Sequence, residues 1–274
     1  MTKKEYAEMI AREIEGAKVV EVEKANGITF TGISITVGNV SPTAYIDYFY
    51  DNNIPVSDAT ENIKSAFDRS QKQVDISWIA DYEKVKPRLQ ARLYNQKTNA
   101  EVFRPATEYG FDDLIIVPYI TIEMEDGNGA AQVRQAYLEQ WGVTATEVID
   151  YAINNIQHES KIISLTEFLF SMMFKEDAPE IPDCFEDPMV IVTNKTLCYG
   201  ASSILAVTKE LQKRFPKGYV VIPSSVNECI VIGECEDMEL QLENVTQMVR
   251  EVNASHIKPE EVLSDHAYYG KGVE

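Results

Sequence analysis

Tyr219-Val-Val-Ile-Pro-Ser-Ser-Val-Asn-Glu-Cys-Ile-Val-Ile232 decides the architecture of this chain. Residues 219–222 and 229–232 read as two apolar strands, and the loop Pro223-Ser-Ser-Val-Asn-Glu228 joins them. Upstream, residues 189–192 read as a third strand. Residues 199–215 then place Ala201, Ile204, Leu205, Thr208 and Leu211 on one helical face, and Pro216-Lys-Gly218 stops the helix. Downstream, residues 239–254 carry Leu242, Val245, Val249 and Val252 at three- and four-residue steps. The order β-α-β-β-α predicts a small sheet with helices packed on it, an α+β fold. The tail, residues 258–269, opens on a further helical turn.

Working outward, residues 2–15 predict a helix with Tyr6, Met9, Ile10 and Ile14 on one face. Thr2 and Glu5 form a capping box, while Lys3 and Lys4 oppose the helix dipole. Val20 and Val22 then alternate with acids, and Asn26-Gly27 supplies the turn pair that needs positive φ. The apolar parity of the return strand changes across Gly32, which predicts a bulge there. Ser41-Pro42 predicts a helix start with Tyr45 and Phe49 facing inward and Tyr48 as a further candidate for that face. Residues 59–70 predict a helix and 74–78 a short strand. Residues 81–94 predict a helix on the spacing of Val85, Leu89 and Leu93, with Pro87 starting or kinking it. Leu114-Ile-Ile-Val117 predicts a strand covered on both faces, and Pro118 an edge or bulge. Asp126-Gly-Asn-Gly129 signals a turn. Thr144 with Glu147 and Ser164 with Glu167 form two more capping boxes, the second helix turning Phe168 and Met172 inward. The expected division is an N-terminal α+β domain at 1–135 and a C-terminal α+β domain at 136–274. An acidic, proline-bearing loop at 175–188 interrupts the second.

The chain has 274 residues, 44 acids and 25 bases, a formal net charge of −19. With 45% hydrophobic residues it can bury a core, so the charge is not that of a disordered chain. A negative field without clustered Lys/Arg argues against direct nucleic-acid binding and against anionic membranes. No apolar run reaches the ~18 residues of a membrane span. Cys184, Cys198, Cys229 and Cys235 show neither zinc spacing nor a secreted disulfide framework. The start runs straight into the first helix, so no leader and a cytoplasmic location are expected.

Catalytic patterns are sparse. His158 and His256 sit at helix ends, and His266 follows Asp265. Ser224-Ser225 sits on a strand-to-strand loop, but the G-x-S-x-G elbow is absent, and Ser225 with Glu228 fits local turn chemistry. Thr193-Asn194-Lys195 followed by Tyr199-Gly200 offers an anion-binding helix start or a polar turn. Asp112-Asp113 and the other acidic runs lack the calcium-loop ladder. Neither cofactor nor metal is expected. The candidate binding residues are Asn194, Tyr199, Ser224, Ser225, Glu228, Asp265 and His266.

Several stretches resemble a bacterial family, domain of unknown function 5688. They are Asn39-Val-Ser-Pro-Thr-Ala-Tyr45 with Phe49-Tyr50, Asp81-Tyr-Glu-Lys-Val-Lys86, Trp141-Gly-Val-Thr144, and Thr193-Asn-Lys195 with Tyr199-Gly-Ala201. Three further stretches are the most specific: Ile222-Pro-Ser-Ser-Val226, Met248-Val-Arg-Glu-Val-Asn253 and Glu261-Val-Leu-Ser-Asp-His266. The second half is also distantly similar to domain of unknown function 1444. The resemblance implies a soluble intracellular protein and lends no reaction. That family often has a histidine where this chain has Asn227, which removes a histidine from the Ser224-Ser225 loop. The leading expectation is a non-enzymatic protein-interaction module, in its specific form an acidic inhibitor or decoy of a basic nucleic-acid-handling protein. The alternative is a hydrolase-like enzyme around Ser224, Ser225 and Glu228 with Asp265 and His266, and a third is a self-associating scaffold.

Overall fold

The structure, a computed structural model, describes residues 1–38, 41–70, 75–124, 127–174, 187–233 and 238–272. It is α+β, and its sheets are antiparallel throughout. Contacts divide it into Met1–Ser77 and Trp78–Glu274.

In the first unit, helix α1 (Lys3–Arg12) starts on the Thr2/Glu5 capping box. It buries Tyr6, Ala7 and Ile10 and leaves Met9 exposed. Lys3 pairs with Asp47 at 2.8 Å, so the base at the positive helix end has a carboxylate of its own. Strands β1 (Lys18–Glu23), β2 (Thr29–Ser34) and β3 (Thr43–Tyr45) form the sheet. Asn26 and Gly27 take positive φ in the first turn, as the pair predicts. The Gly32 bulge does not occur: Glu21↔Thr31, Val20↔Gly32 and Val19↔Ile33 pair without interruption. The parity change has another cause. Ile33 faces the core, while Phe30 packs on Tyr45 across the opposite face, so both faces carry apolar side chains. Gly32 supplies room instead, since a Cβ there would lie 2.5 Å from Thr43 Cγ2. The helix expected at Ser41 starts later, as α2 (Asp47–Asp51), and leaves Tyr48 exposed. Pro42 O accepts from Ile35 N–H and Ser34 Oγ, holding that segment beside the sheet. Helix α3 (Val56–Ser70) adds Ala59, Ile63 and Phe67 to the core of Ile10, Ile33 and Ile46.

The second unit opens with a 3-10 turn, Ser77–Ala80, where a strand was expected; Val74 lies outside the described residues. The helix expected over 81–94 is corrected. Helix α4 (Tyr82–Val85) gives way to a 3-10 turn, Lys86–Arg88, that contains Pro87, and Leu89–Asn95 is strand β4. Leu89 and Leu93 also fit a two-residue alternation with Ala91, and all three are buried. Strand β4 pairs along β6 (Leu114–Met124), whose other side takes β5 (Arg104–Pro105) and β7 (Gly127–Gln132). Pro118 sits in a central strand, yet without loss. Its carbonyl accepts from Val133 N–H, so its missing donor faces the gap between β5 and β7.

Helix α5 (Gln135–Trp141) ends on Gly142 at φ +68°. Helix α6 (Ala145–Ile156) starts on the Thr144 cap and buries Val148, Ile149, Ala152 and Ile156. The five-stranded sheet has the order β12-β10-β11-β9-β8, from β8 (Ser160–Ser164), β9 (Met189–Asn194), β10 (Gly218–Ile222), β11 (Cys229–Gly233) and β12 (Tyr268–Lys271). Strands β8 and β12 are not in the sequence expectation; the tail closes the sheet beside β10. Helix α7 (Leu165–Phe174) starts on Ser164, which accepts from Glu167 N–H. The side chain of Met172 and the loop 175–186 lie outside the described residues. The helix expected over 199–215 is two pieces, a 3-10 helix Gly200–Leu205 and α8 (Thr208–Arg214). Helix α9 (Met238–Ser255) buries Val245 and Val249 against Val220 and Ala267. The sequence sets the domain boundary at 135, whereas the contacts separate at 77. Helix α6, beyond 135, packs on β4, before it, and this joins the two stretches in one body.

Candidate functional site

Two loops of the second unit dock on each other. Asn194 holds the first: its Nδ2 donates to Cys198 O and its Oδ1 accepts from Thr196 N–H. Tyr199 takes φ +51°, and its N–H donates to Asn227 Oδ1 at 3.0 Å. Thr193 Oγ1 donates to Asn227 O, and Ala201 N–H to Val226 O. Gly200 lies at the crossing, where a Cβ would stand 2.7 Å from both Asn194 N and Asn227 O. In the second loop, Ser225 is buried and donates to Glu228 Oε1 at 3.0 Å while accepting from Asn227 N–H. Ser224 is half-buried, with its N–H on Ile222 O. Ser225 and Glu228 thus form the local turn, and Asn227 acts through its amide as a clamp.

The ring of Tyr199, 39% exposed, reaches strand β4. The Arg92 guanidinium lies 3.7 Å from its centroid and 4.0 Å from that of Tyr119. Tyr94 packs beside both rings, and burial raises its hydroxyl pKa. A cation held between two tyrosine faces is a cation–π sandwich.

Asp265 and His266 belong to a second cluster. Val226 N–H donates to Glu261 O, which ties the serine loop to the tail. Asn95 Nδ2 donates to Leu263 O and to Asp113 Oδ2, both at 3.1 Å. Ser264, fully buried, donates to Asp113 Oδ2 at 3.0 Å and lies 3.3 Å from His266 Nδ1. His266 Nε2 lies 3.2 Å from Asp112 Oδ1. Tyr268 donates to Asp113 Oδ1, and burial followed by that carboxylate pushes its pKa upward. Asp265 itself is exposed and accepts from Asn253 Nδ2, which also donates to Ser264 O.

Serine, histidine and aspartate therefore meet here, but the hydroxyl is Ser264 and it has no exposed surface for a substrate. Ser225 is spent on Glu228. Three surface cavities are formed by other residues, and none of the three takes in Ser225 or His266. Asp112, Asp113 and His266 offer ligand atoms within 4.8 Å of one another, the one such group among the described residues. Both oxygens of Asp113 already accept hydrogen bonds, three in all, so the group reads as an anchor for the tail. Sequence reasoning weighed Asp112-Asp113 only against a calcium loop and gave Asn95 and Ser264 no role. The pair Asp112-Asp113 carries no local signal for partners more than 150 positions away.

Part of these contacts is held by stretches of the family resemblance: Thr193-Asn-Lys195, Tyr199-Gly-Ala201, Ile222–Val226, Asn253 and Glu261–His266. The family profile decides the matter, matching residues 2–271. The chain belongs to the family of unknown function DUF5688. The likeness of the second half to domain of unknown function 1444 is not shown by that match. No curated protein and no solved structure matches the chain. Among the described residues of this DUF5688 member, no helix is long and apolar enough to cross a membrane.

Proposed function

We propose that this chain works by binding a protein partner through the acidic surface of its second unit, as an inhibitor or decoy of a basic, nucleic-acid-handling protein. One observation carries the reading: most of the acid excess, 15 of 19, lies there. Trp78–Glu274 holds 32 acids and 17 bases, against 12 and 8 in Met1–Ser77. Glu123, Glu139, Glu210, Glu243 and Glu251 are exposed, and among the described residues none pairs with a base. Unpaired surface carboxylates steer a cationic partner and mimic spaced phosphates.

The test is competition. DNA bound to each of a panel of purified basic DNA-binding proteins is titrated with the chain. Release of DNA from at least one, weakening about tenfold or more between roughly 50 and 200 mM salt, is the expected result. Release that salt leaves unchanged, or no release from any of them, overturns the proposal.

A further inference from the structure

One cavity departs from the acid excess of the chain. It has a volume of about 900 Å³ and lies between the 3-10 turn Thr107–Tyr109, helix α6, the start of α8, and strand β12. That size is within the roughly 300–1,000 Å³ of ligand pockets. Helix α6 and its C-cap residue line it with Asp150, Ile153, Asn154 and Gln157, which continue one helical face. Leu205 and Ala206 add apolar wall. Tyr219, 4% exposed, lies across Gly270, where any Cβ would collide with its ring. Gly270 therefore leaves room for an aromatic wall beside strand β12.

The charged groups decide what such a cavity would hold. Its acids are Glu108 and Asp150, and Arg104 stands between them, with Nη1 2.7 Å from Asp150 and Nη2 3.3 Å from Glu108. Its bases are Lys209 and Lys271, and among the described residues neither meets a carboxylate within 4 Å. The lining thus balances two bases against two acids, and Arg104 behind it already pairs with both acids, in a chain where acids outnumber bases 44 to 25. Two unpaired ammonium groups beside amide and hydroxyl donors are a place for an anion, and the apolar wall is a place for its body.

We propose that this cavity binds a small organic anion, a carboxylate or phosphate ester carried on an apolar or aromatic body, with Lys209 and Lys271 taking the charge. Calorimetric titration of the full chain with benzoate, phenyl phosphate and the neutral benzamide tests it. At least one anion saturates a single site, and benzamide binds about tenfold more weakly or not at all. Whichever anion binds more tightly identifies the headgroup. The double variant Lys209→Ala/Lys271→Ala, with unchanged circular dichroism, loses about tenfold or more in affinity for that anion. Both lysines are exposed, so the fold does not depend on them. Equal binding of benzamide, undiminished binding by the double variant, or saturation by neither anion overturns the proposal.

Discussion

The first unit and the C-terminal tail are held by different physics. In Met1–Ser77, helices α1 and α3 press Ile10, Ile63 and Phe67 onto Ile33 and Ile46, and all five are buried. Such burial is non-directional and stabilises at roughly 25 cal/mol per Å². The tail from Glu261 to Tyr268 also buries Leu263 and Ala267, but it adds a set of directed polar contacts. Asn95 takes the Leu263 carbonyl, Asp113 takes Ser264 and Tyr268, and Asn253 takes the Ser264 carbonyl. The difference teaches that an apolar core fixes which face is inside, whereas buried polar anchors fix where a segment lies. The cost of error differs too, because an orphaned buried polar group loses its water and gains nothing.

Removing the anchor is the strongest way to break that contrast. Asp113→Ala leaves the buried hydroxyl of Tyr268 and one contact of Asn95 without an acceptor, and leaves Ser264 only the longer contact to His266 Nδ1. Urea denaturation followed by circular dichroism is expected to show a loss of about 4 kcal/mol. Asp113→Asn keeps one acceptor oxygen and should recover part of it. If Asp113→Ala unfolds at the wild-type midpoint, the tail is not held by this carboxylate.

The matching test in the first unit is Ile33→Ala. It removes a fully buried side chain at the centre of the helix-on-sheet core and should cost about 3 kcal/mol. Hydrogen exchange of the α1 amides reads it where it acts. The neighbours that lose packing are known in advance, namely Ile10, Ile46 and Ile63. A loss under about 1 kcal/mol would mean that the core collapses onto the vacancy, and the apolar half of the comparison would fall.

These two regions also mark what the sequence could say. The α1 capping box, the Thr144 and Ser164 caps, and the buried faces of α1, apart from exposed Met9, and of α9, apart from exposed Val252, follow from spacing within a few residues. The stretch 81–94 misleads because Leu89 and Leu93 satisfy a helical and an alternating pattern at once, and the pairing partner that chooses between them lies at 114–120. Strand β12 is hidden for a like reason: Tyr268-Tyr-Gly-Lys271 has little strand character until β10 offers it an edge. At the candidate site, the local turn chemistry of Ser225 with Glu228 and of Asn194 was legible. The convergence of Asn95, Asp113, Ser264 and His266 was not, since no periodic pattern connects positions 150 apart.

Asp187 sharpens the comparison from between the two extremes, as a polar anchor whose partners are near in sequence. It is 6% exposed and accepts from the Ser164 hydroxyl at 2.7 Å and from the N–H groups of Thr166 and Met189 at 2.9 and 3.0 Å. Burial by itself would raise its pKa, but those donors together outweigh it and hold the carboxyl at about 2, below its ordinary 3.8. A carboxyl whose folded pKa is depressed stabilises fully above its unfolded value. That stabilisation is therefore present above about pH 4 and is lost as the pH falls from there through about 2, an amount of about 2 kcal/mol. Asp187→Asn should remove this part of the acid dependence and lower stability at pH 7 by a similar amount. Thermal melts of both proteins between pH 7 and pH 2 measure it. Parallel acid limbs would place the acid sensitivity elsewhere, and would leave the long-range anchor at Asp113 as the polar contact that matters to the second unit.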